Sequence, residues 1–325
     1  MYWKNKFFFC LPFILFASGC ASVQNGFLGL APAGDKKAYL RAREAYSAGN
    51  YQEAITELST YIYKTKNVRR REARAYRLLG KSYEEMDRLN EALEVYSEAL
   101  EFHPNNVPLL IAAAELYQRT GLWDQSQQLF KRALDLEPEN LQALSGLAHN
   151  YYLVGFDSKA QEIYNRFFEL NPTAEPLYRA RYAQTFLHQH HFEQAFIHST
   201  MALMQQPDSS EFWLLHARAA HGLNLSQEAL ESLETALTLS PNARELLSTK
   251  ALWLYQEKKF EKALQTAQQI LTQDPNNQLA HLVTALCHYQ QKRINTARRE
   301  LQKIIQLNPD TFIGKVAQGI LEQLR

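Results

Sequence analysis

Apolar and polar positions alternate along most of this chain with the beat of a helix. Tyr76, Leu79, Gly80 and Tyr83 stand at i, i+3, i+4 and i+7, which puts them on one helical face. After a short break, Ala92, Tyr96 and Ala99 repeat that spacing on a second helix, which stops before Pro104. Proline lacks the amide hydrogen and clashes with the preceding turn. It also drives its predecessor out of the helical region. The stretch ALEFHPNN at 99–106 is therefore a helix end, a proline and a turn. The chain writes it again as ALDLEPEN at 133–140, ALTLSPNA at 236–243, ILTQDPNN at 270–277 and IIQLNPDT at 304–311.

The register is regular. Pro104, Pro138, Pro172, Pro207, Pro241, Pro275 and Pro309 follow one another at 34 residues, once at 35. Twelve residues before each stands a small side chain: Ala92, Ser126, Ala160, Ala195, Ala229, Ala263 and Ala297. Another twelve back stands a second: Gly80, Ala114, Ala148, Ala183, Ala217, Ala251 and Ala285. Small residues at these two places let paired helices approach closely, and a leucine there would overpack at a cost of about 1–3 kcal/mol. Gly49, Gly121 and Gly155 mark the turn inside three of the units. An earlier unit carries Gly49, Tyr51, Ala54, Leu58 and Tyr61 but no closing proline, and about four extra residues separate it from the next.

This pattern resembles the tetratricopeptide repeat, whose signature has an aromatic, Leu-Gly, Tyr, Ala, aromatic, Ala and Pro at those offsets. The resemblance implies an all-α fold: an α-solenoid, or superhelix, of about eight helix-turn-helix repeats over 37–309. A capping helix at 310–325 follows, with Phe312, Val316, Ile320 and Leu324 stepping along one stripe. No unit of this kind buries its apolar face alone, so stacking is what stabilises it.

Composition narrows the picture. With 35 basic and 34 acidic side chains the chain lacks the basic excess that nucleic acid demands. The first residues read differently from the rest. Lys4 and Lys6 precede an apolar run from Phe7 to Ala17, the layout of an export signal and too short for a standard spanning helix. It ends Ala17-Ser18-Gly19-Cys20, which resembles the lipobox of bacterial lipoproteins. That resemblance implies a signal peptide at 1–19, lipidation at Cys20 and a tether at 20–36. It also implies a lipid-anchored protein of the bacterial cell envelope, on the periplasmic face of the outer membrane since Ala21 follows the cysteine. An ordinary signal peptide and an uncleaved anchor are the alternatives. Once Cys10 leaves with the signal and Cys20 carries lipid, only Cys287 remains, so no disulfide forms within the chain.

In arrays of this family the first helix of each unit lines a concave groove, and positions 2, 5, 9 and 12 face it. The residues singled out for that wall are Arg74, Arg77, Lys81, His149, Tyr152, Arg181, Gln184, Arg218, His221, Tyr255 and Tyr289, with Ile111 and Leu282 among its apolar members. Such a lining suits an extended peptide segment of another protein. The expected partners are other envelope proteins, with the membrane reached through the lipid, and neither nucleic acid nor a small-molecule substrate. Members that capture chaperone tails use an Asn at position 9. Here that place holds Arg43, Lys81, Glu115, His149, Gln184, Arg218, Leu252 and Leu286.

Two local features compete with this picture. Lys64, Lys66, Arg69, Arg70, Arg71, Arg74 and Arg77 form a basic cluster that suits anionic headgroups, or a solvated face balanced by the glutamates that follow. His188, His190, His191 and His198 offer nitrogen ligands, but a metal needs them to converge. There is no HExxH, GxSxG, P-loop or GxGxxG, so no catalytic residue, metal ligand or cofactor is assigned. The function expected is a membrane-anchored scaffold. An assembly factor for a pilus or polysaccharide exporter, or a recruiter of peptidoglycan enzymes, are its alternatives, with a metal-binding protein further off.

Overall fold

A computed structural model of the chain describes residues 36–63 and 72–324. Cys20, the signal, the tether and most of the basic cluster lie outside the described residues. Among the described residues there are seventeen helices and no strand. They come in pairs: α1 (Lys36–Ser47) with α2 (Tyr51–Tyr63), α3 (Ala73–Glu85) with α4 (Leu89–Phe102), α5 (Val107–Arg119) with α6 (Trp123–Leu136), and α7 (Leu141–Leu153) with α8 (Asp157–Leu170). The second half continues with α9 (Pro176–His188) and α10 (Phe192–Gln205), α11 (Ser210–Gly222) and α12 (Ser226–Leu239), α13 (Arg244–Gln256) and α14 (Phe260–Gln273), and α15 (Gln278–Gln290) and α16 (Ile294–Leu307). A single helix, α17 (Phe312–Gln323), closes the array. Each helix packs on its partner and on the first helix of the next pair, so the core runs along the stack in chain order.

The two small-residue positions form the seam within each pair. Ala54, Ala92, Ala160, Ala195, Ala229, Ala263, Ala297 and Ser126 are all 0% exposed. Facing them, Ala42, Ala114, Ala148, Ala183 and Ala217 are also fully buried. Gly80, the seam's one glycine, leaves no room for a side chain: a Cβ there would come within 2.3 Å of the Tyr96 ring. That ring cannot swing away, because it is buried and its hydroxyl donates to Glu84 Oε1 at 2.7 Å.

All seven prolines fall between the second helix of one pair and the first of the next. The residue two places on often completes the punctuation. Asn106, Asn140, Ser209, Asn277 and Thr311 each accept a hydrogen bond from the backbone N–H three residues later, capping the helix that follows. Within each pair the chain turns through one left-handed residue. Gly49, Gly121 and Gly155 have φ of 77°, 76° and 78°, while Asp87, His190, Asn224, Lys258 and Lys292 take φ of 57–62° in the other five units. The glycines visible in the sequence thus mark a turn that every unit makes.

α17 covers the last pair with Ile313, Val316, Ile320, Leu321 and Leu324, and buries Ala317. The four-step stripe expected from the sequence is corrected at its start: Phe312 is 82% exposed, and Ile313 takes the packed place. The first helical turn, begun by the Thr311 cap, rotates Phe312 outward.

Candidate functional site

The first helices of successive pairs stand side by side, and their exposed faces form a trough. At its middle, α7, α9 and α11 with one residue of α13 enclose a cavity of about 490 Å³. Five of the residues picked from the sequence line it together: His149 and Tyr152 of α7, Arg181 and Gln184 of α9, and Arg218 of α11. Leu177, Ala180 and Leu214 supply apolar wall, and Glu211 and Glu245 supply carboxylates.

The charges are unequally matched. The Arg218 guanidinium donates to Glu245 Oε1 at 2.6 Å, bridging α11 and α13. Arg181 is half-buried in the same cavity and has no ion pair and no hydrogen-bond partner among the described residues. Its charge is nonetheless felt. Burial pushes the His149 imidazole down to about 4, and the Arg181 guanidinium adds to that push. His149 is therefore neutral at physiological pH, and its Nδ1 is buried without a partner.

An aromatic ladder borders the cavity. His149 stacks on Tyr152 at 5.9 Å between centroids, and Tyr152 stacks on His188 at 5.5 Å. His188 is fixed at both nitrogens: Nδ1 lies 3.2 Å from Asp157 Oδ1 and Nε2 lies 3.3 Å from the Gln184 amide. An Nδ1–H tautomer satisfies both, donating to the carboxylate and accepting from the amide. Burial raises the Tyr152 hydroxyl, with the Asp157 charge behind it. The cavity therefore offers a guanidinium, Arg181, and a carboxylate, Glu211, that make no ion pair among the described residues, with an apolar wall and a stacked aromatic edge. A guanidinium so placed takes a carboxylate in a bidentate fork.

The other picked residues lie elsewhere. His221 stacks flat on Trp253 at 4.4 Å and contacts Gln256 Oε1 at 3.2 Å. Tyr255 packs toward Phe260 at 5.9 Å, and Tyr289 stands exposed. Arg74, Arg77 and Lys81 belong to α3; Arg74 pairs with Glu72 and lies 4.8 Å from the Tyr39 ring centroid. Two of the apolar wall positions are corrected: Ile111 and Leu282 are buried in the core, because neighbouring helices close over them. Glu211 and Glu245, which the chosen wall residues do not include, both occupy position 2 of their units, so the register points at them too.

The histidines of 188–198 do not converge. His188 joins the ladder and His190 holds the left-handed turn. His198 is half-buried against Tyr182 and Phe186, where burial pushes it down to about 4. Among the described residues no group of three or more His, Cys, Asp or Glu is placed to hold a metal ion. None of the described helices is long and apolar enough to cross a membrane.

Known proteins share this architecture. The human RanBP2-like and GRIP domain-containing protein 3 is 35% identical over 107 residues, which is 32% of this chain but only 6% of that protein. The Cut9–Hcn1 hetero-tetramer of the APC/C superposes with a TM-score of 0.56 at 16% identity, over 92% of this chain and 57% of that one. Pseudomonas aeruginosa PilF superposes with a TM-score of 0.54 at 18% identity, over 66% of this chain and 97% of that one. At such identities these structures share the fold. Models of the tetratricopeptide repeat match residues 39–107, 83–132, 210–243 and 254–314, together more than half of the sequence. With its stacked pairs, its seam of small residues and its closing prolines, the chain belongs to the tetratricopeptide repeat family.

Proposed function

We propose that the chain is a lipid-anchored scaffold of a bacterial envelope that holds an extended, carboxylate-bearing segment of a partner protein in its trough. Proteins built on this repeat bind other proteins and are typically scaffolds without enzymatic activity. The observation that carries the reading is Arg181, a guanidinium that makes no ion pair or hydrogen bond among the described residues, in a cavity bordered by the aromatic ladder and leucines. A carboxylate of the partner completes that fork, and apolar side chains beside it cover Leu177 and Leu214. The anchoring rests on the sequence around Cys20, where small residues end an apolar export run.

The test is capture of partners by the full chain in cells, followed by Arg181→Glu with Arg218→Glu. Loss of the captured protein with unchanged thermal unfolding supports the trough, and undiminished capture moves the site elsewhere. Cys20→Ala is expected to release the protein from the membrane fraction; retention would indicate an uncleaved anchor instead.

A further inference from the structure

Three matched places on the exposed faces of the second helices are polar in the other proline-closed repeats, and α10 breaks the rule. Ile197, Met201 and Met204 stand at i, i+4 and i+7 on its exposed face, at 41%, 43% and 81% exposure. In the other six proline-closed repeats the place of Ile197 is held by Glu94, Gln128, Glu162, Glu231, Gln265 and Arg299. The place of Met201 is held by Glu98, Arg132, Arg166, Thr235, Gln269 and Lys303. The place of Met204 is held by Glu101, Asp135, Glu169, Thr238, Thr272 and Gln306. Eighteen polar residues stand against three apolar ones, all three on one helix. An apolar stripe on an otherwise charged surface marks a contact with another molecule, and flexible methionines are common at such surfaces.

The stripe leads into a cavity of about 480 Å³ between α10, α11 and α12. Met204 and Leu203 form one wall, Trp213 another, and His216 lies at the floor. Trp213 is two residues beyond the trough residue Glu211, about 200° around a helix of 3.6 residues per turn. This cavity therefore opens away from the trough. Trp213 is itself an exception. At its place in the repeat, Tyr76, Leu110, Leu144, Leu247 and His281 are all buried, whereas the indole, like Arg179 in repeat five, is only partly buried. Its Nε1–H donates to Pro207 O at 2.8 Å, which fixes the ring plane.

The rim decides what fits. Glu228 and Glu231 line the cavity, and neither makes an ion pair among the described residues. No lysine or arginine lines it. Glu228 sits in the first turn of α12, where the helix dipole favours a carboxylate. Glu231 lies one turn further on, where its Oε1 accepts from the Gln227 amide at 2.9 Å and no cation meets it among the described residues. An indole face beside two carboxylates suits a guanidinium, which stacks on the one and forks onto the other. Neutral His216, held down by burial and bonded through Nδ1 to Ser232 Oγ at 3.0 Å, places no opposing charge at the floor.

We propose that this outer surface of repeats five and six docks an amphipathic helix of a partner protein, its apolar stripe on Ile197, Met201 and Met204 and a flanking arginine between Trp213 and the Glu228–Glu231 rim. The site is separate from the trough and independent of what the trough holds.

The probe is a fluorescein-labelled helical peptide of about 18 residues, long enough to hold its helix. It carries leucines at i, i+4 and i+7 and arginines on one flank, and its twin has citrulline, the neutral isostere, for every arginine. Fluorescence anisotropy with the full chain is expected to show the arginine peptide binding about tenfold tighter than the twin, the size of a charge-assisted contact. Met204→Glu abolishes binding of both peptides, and Glu228→Gln with Glu231→Gln reduces the arginine peptide to the level of its twin. Arg181→Glu in the trough leaves both unchanged. Unaltered unfolding temperatures show that these surface variants fold. Equal binding of the two peptides, no binding of either, or indifference to Met204→Glu would each overturn the proposal. So would a concentration-dependent dimer abolished by Met204→Glu, which would assign the face to a second copy of the chain.

Discussion

Along the seam where paired helices meet, Ala92, Ser126, Ala160, Ala195, Ala229, Ala263 and Ala297 are all fully buried and close to interchangeable. Around repeats five and six, by contrast, residues at matched places depart from their neighbours. Arg181 stands without an ion-pair partner on the trough side, and Ile197, Met201, Met204 and Trp213 face outward on the other. Stacking asks every unit to present the same volume to the next. Recognition asks one unit to present what the others do not. Likeness therefore marks what holds the array together, and departure marks where it meets partners.

The seam can be broken at one point. Ala229→Leu inserts three heavy atoms where none fit, and we expect a loss of about 1–3 kcal/mol in chemical unfolding. A seam tolerant of leucine would remove the packing half of the contrast. A second change acts where the two regions meet. His149 and His198 both titrate near 4, well below the ordinary 6.5. The unfolded chain takes up their protons first as pH falls, so stability is complete above 6.5 and declines toward about 4. The double variant His149→Phe with His198→Leu flattens that decline, as thermal unfolding against pH will show. An unchanged slope would mean that neither imidazole is protected.

Smaller effects sharpen the contrast. Ser126 is the one seam residue with a hydroxyl, and its Oγ is buried without a partner. Ser126→Ala restores the residue found in the other units and should stabilise by about 1 kcal/mol in urea titration. Destabilisation would reveal a partner for that hydroxyl. Lys258 holds the left-handed turn at φ 58°, the place that Gly49, Gly121 and Gly155 fill elsewhere. Lys258→Gly relieves that backbone at about 0.5–1 kcal/mol, visible as a modest rise in unfolding temperature. Replacement of Gly155 by Lys should cost a similar amount.

Period, small residues and prolines made the fold legible, because a stack enforces them in every unit. The turn was legible only where it is glycine. Asp87, His190, Asn224, Lys258 and Lys292 adopt the same backbone, and nothing in their side chains announces it. His190 illustrates the hazard, since a histidine beside others suggests a ligand where the chain only needed a bend. Phe312 falls outside the packed stripe because a four-residue step does not say where a helix begins to pack. The trough was half legible. Register places His149, Tyr152, Gln184 and Arg218 at the groove positions of first helices and Arg181 at position 6, just outside them, but only packing gathers these five and sends His221 to Trp253. That Arg181 makes no ion pair is a fact of geometry that no spacing encodes.

The most direct measurement places a photo-crosslinking residue at Gln184, on the trough wall, in the full chain in its own cells. A discrete crosslinked partner that disappears when Arg181→Glu is added is the predicted result. No crosslink at Gln184, or one that survives Arg181→Glu undiminished, would contradict a carboxylate-binding trough.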